Sequence, residues 1–173
     1  MNFRRAEIKD FERIVAFYKY VIENTEDMAV YARWVYGQHP TDEMIEGYIR
    51  QDAMYILEED NTIAAAMAVT LSQGEDYHSV DWSVVLEDNE VAVVHILCVS
   101  PDYQKQGIGK KMIQESIRLA EKEAKKAVRL DALESNQPAH RMYGGLGFQL
   151  RGKQNLYAEN TGWTNFLFFE YVR

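Results

Sequence analysis

Apolar and polar positions alternate along this chain in short blocks, and the period of the alternation changes from block to block. Residues 2–6 read as a strand. Over 9–23, Phe11, Ile14, Val15, Tyr18 and Val21 recur at helical intervals. Further helical regions are expected at 28–37 and 41–50, separated by the break Gly37-Gln-His-Pro40, with Thr41 as an N-cap ahead of Asp42 and Glu43. Residues 53–58 and 62–72 predict a hairpin turned through Glu59, Asp60 and Asn61. The acidic and mixed segment 73–90 predicts a loop with a short helix.

The firmest pattern lies beyond it. Residues 91–99 (VAVVHILCV) are almost unbroken apolar sequence rich in β-branched side chains, ended by Ser100-Pro101, and predict a buried strand. Ile108, Met112, Ile113, Ile117, Ala120 and Ala124 then fall at helical spacing, with lysines and glutamates on the other face. A strand at 127–132 and a helix at 138–146 ended by Gly147 follow. Strands at 148–151 and 165–172, joined by a polar loop over 152–164, complete the set.

Between the buried strand and its following helix runs Gln104-Lys-Gln-Gly107-Ile-Gly109-Lys110. Glycines at 107 and 109 let the backbone turn tightly and leave no β-carbon between the amides and an anion. The helix N-terminus adds partial positive charge, and Lys105, Lys110 and Lys111 add more, so the loop suits a diphosphate. Two common nucleotide patterns are excluded: Met112 breaks GxGxxG, and no P-loop spacing is present.

Composition narrows the picture. A chain of 173 residues with 47% hydrophobic content fits one domain over 1–173 with a full core. No apolar run is long enough for a membrane span, and the charged start MNFRRAEIKDF is unlike a secretory signal. The single cysteine, Cys98, suits a reducing compartment, so the expected location is cytoplasmic. Residues 1–90 hold 7 Lys and Arg against 19 Asp and Glu, a net of −12, whereas residues 91–173 carry +4. A basic second half suits a phosphate-rich cofactor. An acidic first half either attracts a cationic substrate or merely aids solubility, and both readings stay open. With no basic stripe interleaved with aromatics, nucleic acid is not an expected partner. The histidines at 39, 78, 95 and 140 show no paired ligand spacing, so no metal site is expected.

Two blocks carry a family resemblance. Gln104-Lys-Gln-Gly107-Ile-Gly109 resembles the Q/R-x-x-G-x-G/A signature of the GNAT superfamily of acetyl-coenzyme A-dependent N-acetyltransferases. Asn136-Gln-Pro-Ala139-His-Arg-Met-Tyr143-Gly-Gly-Leu-Gly147-Phe148 is similar to that superfamily's N-x-x-A-x-x-x-Y-x-x-x-G-F at full spacing. The resemblance implies an α/β fold of α+β type: a mixed, mostly antiparallel sheet of about seven strands flanked by helices, splayed between the fourth and fifth strands. It also implies acetyl-CoA as cofactor, with coenzyme A as product. The cofactor would be held by Gln104, Lys105, Gln106, Gly107, Ile108, Gly109 and Lys110 at the diphosphate, by main-chain groups of Leu97, Cys98 and Val99 at the thioester and pantetheine, and by Asn136 and Tyr143.

Acetyl transfer to an amine needs a proton acceptor, an oxyanion site and a proton donor for the leaving thiolate. On the resemblance, Tyr143 is the candidate acid, its alternative being a packed core tyrosine. His95 is the candidate base. If the strand is regular it shares a face with Val93, Leu97 and Val99, with Cys98 opposite, which argues against a covalent acetyl-cysteine. In other superfamily members the position of Val93 bears a catalytic Glu or His, so a water relay from His95 to Glu75, His78 or Asp81 is the natural substitute. By the same resemblance the 73–90 segment is a candidate for substrate specificity. The aromatics Tyr31, Trp34, Tyr36, Tyr48, Tyr77 and Trp82 are helix packing or, alternatively, the lining of a site for an aryl or alkyl amine.

The expected activity is therefore transfer of acetyl from acetyl-CoA to a primary amine of a small molecule. A protein or peptide N-acetyltransferase and a non-catalytic acyl-CoA-binding regulatory module are the alternatives. A small-molecule amine is the expected partner, with no membrane partner, and a homodimer stays open.

Overall fold

The computed structural model describes residues 1–173. Its elements run β1 (Asn2–Arg5), α1 (Phe11–Asn24), α2 (Met28–Tyr31), α3 (Asp42–Arg50), β2 (Met54–Glu59), β3 (Thr62–Thr70), β4 (Val91–Val99), α4 (Ile108–Lys122), β5 (Ala127–Leu133), α5 (Gln137–Gly145), β6 (Gln149–Ala158) and β7 (Gly162–Val172). All seven strands join one sheet in the order β1-β2-β3-β4-β5-β7-β6. Every neighbouring pair is antiparallel except β4 and β5. This is the mixed, mostly antiparallel sheet that the family resemblance implied.

Two apolar layers cover the sheet. Ala92, Val94, Val128, Leu130 and Phe169 meet Met112 and Ile113 of α4 and Tyr143 of α5 on one face. On the other, Ile56, Ala66, Ala68 and Ile96 meet Ile14, Tyr18 and Val21 of α1 and Ile45 and Ile49 of α3. Local chemistry fixes the ends of these elements. Thr41 Oγ1 accepts from the Met44 amide at 3.1 Å, as an N-cap should. The β2–β3 turn places Asp60 and Asn61 at φ of 47° and 63°, the twin left-handed residues that a tight hairpin needs.

The central strand departs from regularity at one point. Ala68 pairs with His95 but Ala66 with Cys98, so Ile96 and Leu97 together oppose Met67 in a β-bulge. Ile96 has φ of 43°, a costly conformation for a β-branched residue. Its carbonyl accepts a buried hydrogen bond from the Tyr18 hydroxyl at 2.8 Å. The bulge overturns the face assignment expected of a regular strand. Leu97 and Val99 pack on the α4 side, whereas Cys98 joins the α1/α3 side, where His95 stacks on Tyr48 at 5.6 Å. Cys98 and His95 therefore share a face.

Pairing between β4 and β5 stops at Val94 and Leu130. Residues 95–99 turn away with the bulge, while Asp131, Ala132 and Leu133 continue beside β7. The sheet is split there, between the fourth and fifth strands.

Two further sequence expectations need correction. The helix expected over 28–37 is a single turn, Met28–Tyr31, ended by Arg33 at φ of 56°, whose amide bonds Met28 O at 2.6 Å. The polar loop expected over 152–164 is mostly strand: β6 and β7 form a long hairpin from Gln149 to Val172. Its outer strand is a sheet edge with a solvated face, so polar residues there are compatible with pairing.

The 73–90 segment is a loop with short helical turns at Glu75–Tyr77 and Asp88–Glu90, as expected, and it is tied to the sheet. Arg129, 1% exposed, bonds Glu170 Oε1 at 2.8 Å, Gln73 Oε1 at 2.6 Å and Val84 O at 3.1 Å, with its guanidinium 4.0 Å from the Trp82 ring centre. Glu170 also accepts from the amide and hydroxyl of Ser83. Every charge in this cluster has a partner, which is the condition under which burial is tolerable.

Removing the Tyr18 hydroxyl leaves the Ile96 carbonyl buried and unpaired. Tyr18→Phe is expected to lower the unfolding free energy in urea by about 1–3 kcal/mol, and an unchanged midpoint would show that the bulge does not depend on this bond.

Candidate active site

The split opens into a cavity of about 700 Å³ that passes from one face of the sheet to the other. Ile108, Met142 and Tyr143 line it on the α4/α5 face; Trp34, His39 and Tyr48 line it on the α1/α3 face. Of the residues singled out in the sequence, His95, Leu97, Cys98, Val99, Gln104, Lys105, Gly107, Ile108, Gly109, Lys110, Asn136 and Tyr143 all border this one space. Gln106 does not; its side-chain amide turns back to Asp102 O at 3.4 Å.

At the α4 end, Gly107 is the N-cap and supplies no side-chain acceptor, so the first amides of the helix are left for something else to satisfy. The two glycines there serve different ends. Gly107 has φ of +76°, a conformation that favours glycine, and open space where a β-carbon would stand. A β-carbon on Gly109 would sit 3.0 Å from Met142 Sδ, so that glycine lets α5 pack against α4 rather than keeping room for an anion.

Asn136 caps α5, its Oδ1 accepting from the Ala139 amide at 3.3 Å, which leaves its NH₂ group to donate. Tyr143 is buried between Phe148 and Phe169, yet its ring borders the cavity. Burial first, and the Asp131 charge second, hold its phenol well above the usual range, so it keeps its proton.

His95 Nε2 lies 2.9 Å from Thr70 Oγ1, and Thr70 donates to Ser72 O at 3.0 Å, which assigns the ring proton to Nε2. Burial, helped by the nearby His39, pushes its pKa down to about 4. It is neutral near pH 7 and a weak proton acceptor. The relay partners expected in the 73–90 segment are elsewhere: His78 is exposed and pairs with Asp88 at 2.8 Å, and Glu75, His78 and Asp81 all lie outside the cavity wall. Nor does any residue of 73–90 line the cavity. Cys98 is half-buried with its thiol pushed upward in pKa by loss of water, so it carries no nucleophilic thiolate despite sharing a face with His95.

The acidic first half of the chain contributes no carboxylate to the wall. The charged side chains that border the cavity are Lys105 and Lys110 at the α4 end and Asp131 in the split. Asp131 was legible only as the one acid in the strand segment 127–133. Of the aromatics, Tyr31, Trp34 and Tyr48 border the space, whereas Tyr36, Tyr77 and Trp82 do not. The tip of the β6–β7 hairpin closes one end. Asn160 Nδ2 donates to Arg33 O at 2.8 Å, and Arg33 Nη2 to Thr161 O at 3.3 Å.

The Acetyltransferase (GNAT) family profile matches residues 10–148. An uncharacterized N-acetyltransferase of Methanocaldococcus jannaschii is 35% identical over 69 residues, 40% of this chain, and the match spans 30% of that relative's length. Solved structures share the fold. A GNAT-family acetyltransferase from Streptococcus agalactiae superposes with a TM-score of 0.78 at 18% identity, over 99% of this chain and 95% of its own. The ribosomal-protein-S18-alanine N-acetyltransferase of Escherichia coli does so with 0.70 at 18% identity, over 99% and 92%.

Two outcomes follow from this geometry. Gly107→Val forces a β-branched residue into a left-handed cap, and coenzyme A affinity measured by calorimetry should fall at least about tenfold; equal affinity would remove the role of Gly107 at the diphosphate. For His95, the unfolded chain takes up a proton near the ordinary value of 6.5 and the folded chain only near about 4. Its contribution to stability is therefore full above 6.5 and is lost as pH falls from 6.5 toward 4. Urea midpoints across that range should fall more steeply in the wild type than in His95→Phe.

Proposed function

The chain belongs to the acetyltransferase (GNAT) family, and on that premise we propose that it transfers an acetyl group from acetyl-CoA to the primary amine of a small molecule. The observation that carries this reading is the single cavity linking an uncapped helix N-terminus to an apolar chamber through the split sheet. The residues present fit the cofactor. The free amides of Ile108, Gly109 and Lys110, with the Lys105 and Lys110 ammonium groups, would hold the diphosphate. The edge of β4 over 95–99, which has no partner on the β5 side, and the Asn136 NH₂ group would hold the pantetheine arm. When bound, acetyl-CoA supplies an acetyl group activated by its sulfur leaving group.

The chain's own part is positional and protonic. Main-chain N–H groups at Leu97 to Val99 would stabilise the developing oxyanion. Tyr143, kept protonated by burial, gives its proton to the departing sulfur. His95, neutral and fixed by Thr70, presents a hydrogen-bonding ring rather than a charge to the acceptor chamber. The hydrogen-bonded contact of the β6–β7 tip with Arg33 narrows the acceptor end, which favours a small amine over a folded protein surface.

Calorimetric titration with acetyl-CoA, coenzyme A and ADP, followed by thiol release across small amines and peptide amino termini, tests the proposal. Saturable binding that requires the pantetheine arm, and faster turnover of small amines than of peptides, is expected. Tyr143→Phe should lower kcat by about 10²-fold while leaving cofactor affinity unchanged. Cofactor binding with no thiol release from any amine would leave a non-catalytic acyl-CoA-binding module.

A further inference from the structure

Asp131 sits where the sheet divides, immediately beyond the last β4–β5 pair, Val94 with Leu130. Its position on β5 would face His95 if pairing continued. Oδ1 accepts a hydrogen bond from the Tyr77 hydroxyl at 2.6 Å. Oδ2 has no partner in the chain, and no Lys, Arg or His forms an ion pair with this carboxylate. The lysines of the cavity stand at its other end, by the α4 N-terminus. By contrast, the buried acids Asp10 and Glu170 are each matched to arginine. Asp131 is a carboxylate in a largely apolar chamber that lacks the cation the other two possess.

We propose that Asp131 is the receptor for the acceptor's ammonium group and takes its proton before transfer, so that the substrate is an alkyl or arylalkyl amine, cationic in solution, with an apolar body. This rests on the acetyltransferase reading for the step that follows binding. Trp34, Tyr48 and Phe166 on the chamber side offer aromatic surface for such a body, and Tyr48, stacked on His95, offers a ring face to a cation. One proton passes from the ammonium nitrogen to Asp131 Oδ2. The freed lone pair forms the C–N bond as the C–S bond breaks, while Tyr143 protonates the sulfur and recovers a proton from the same nitrogen. The proton on Asp131 returns to water when the amide leaves.

Proton affinity supports the assignment. Burial raises that of Asp131 above the ordinary aspartate value, opposed by the Tyr77 bond and helped by the negative Asp76. The carboxylate's charge in turn contributes to raising Tyr48 and Tyr143, after burial itself. It lies within electrostatic reach of both the acceptor wall and the candidate acid. A substrate cation at Asp131 cancels that charge and makes the Tyr143 proton easier to release.

The test compares wild type with Asp131→Asn, which keeps shape and the Tyr77 contact but not the charge. Binding of 2-phenylethylammonium and of its neutral counterpart 2-phenylethanol is measured by calorimetry on the coenzyme A-loaded protein at pH 7.5. Wild type should prefer the ammonium by about tenfold or more, and Asp131→Asn should lose that preference while keeping its affinity for the alcohol and for coenzyme A. No ammonium preference in wild type, or an equal preference in both proteins, overturns the proposal. Thermal midpoints of the two proteins identify a variant that has failed to fold, and Asp131→Glu, which restores the charge, should then recover at least part of the preference. In turnover, Asp131→Asn should lose far more activity on the cationic amine than on aniline, which is neutral at this pH. An ammonium preference without thiol release would instead defeat the acetyltransferase reading and leave the ammonium site standing.

Discussion

A single buried hydrogen bond, from the Tyr18 hydroxyl to the Ile96 carbonyl, holds the central strand in a shape it would not otherwise keep. An isoleucine with positive φ is strained, and a carbonyl turned out of the ladder needs a donor. With the bond made, β4 takes one extra residue against β3, and its last residues swing away from β5. The cavity opens along that departure. The same bulge sends Leu97 and Val99 toward α4 and leaves His95 and Cys98 toward α1 and α3, so one strand lines both ends of a cavity that crosses the sheet.

Charge within the cavity is sorted more sharply than charge along the chain. The excess of acid in residues 1–90 is spent on ion pairs and solvated surface, as where Arg4 bridges Asp10 and Glu58 and so ties β1 to the start of α1 and to β2. Inside, two lysines mark one end and Asp131 the split, with neutral histidines and apolar rings around the latter. A site of this kind discriminates by placing few charges in a poorly solvated space, where each counts for more than it would at the surface.

What was legible in the sequence follows physical cause. β4 was marked within its true bounds because a strand buried on both faces is apolar throughout, and α4 and α5 were marked by periodicity and by glycines and a proline at their ends. Gly107 was legible because a left-handed helix cap restricts residue choice, whereas Tyr143 was singled out by the family resemblance alone. The β6–β7 hairpin was not, since an edge strand with one wet face has the composition of a loop. The bulge left no compositional trace, because Ile96 is an ordinary strand residue in an extraordinary conformation, and every inference about which side chains share a face inverted beyond it. Asp131 was visible as a residue, but only the three-dimensional course of β4 shows that its pairing partner has left.

The order of strands has a consequence for how the protein comes into being. β7, made last, lies between β5 and β6, and the contacts that close the chamber, Asn160 to Arg33 and Arg33 to Thr161, join residues 127 and 128 positions apart. A nascent chain that has reached Phe148 already carries both motif blocks, yet β5 still presents a bare edge and the chamber has no far wall. Until the segment beyond Thr161 has been synthesised, the growing polypeptide exposes an apolar strand with unpaired backbone groups, the kind of intermediate that invites association with other chains. The polar residues of β6, already present at that stage, add solvated surface beside the bare strand.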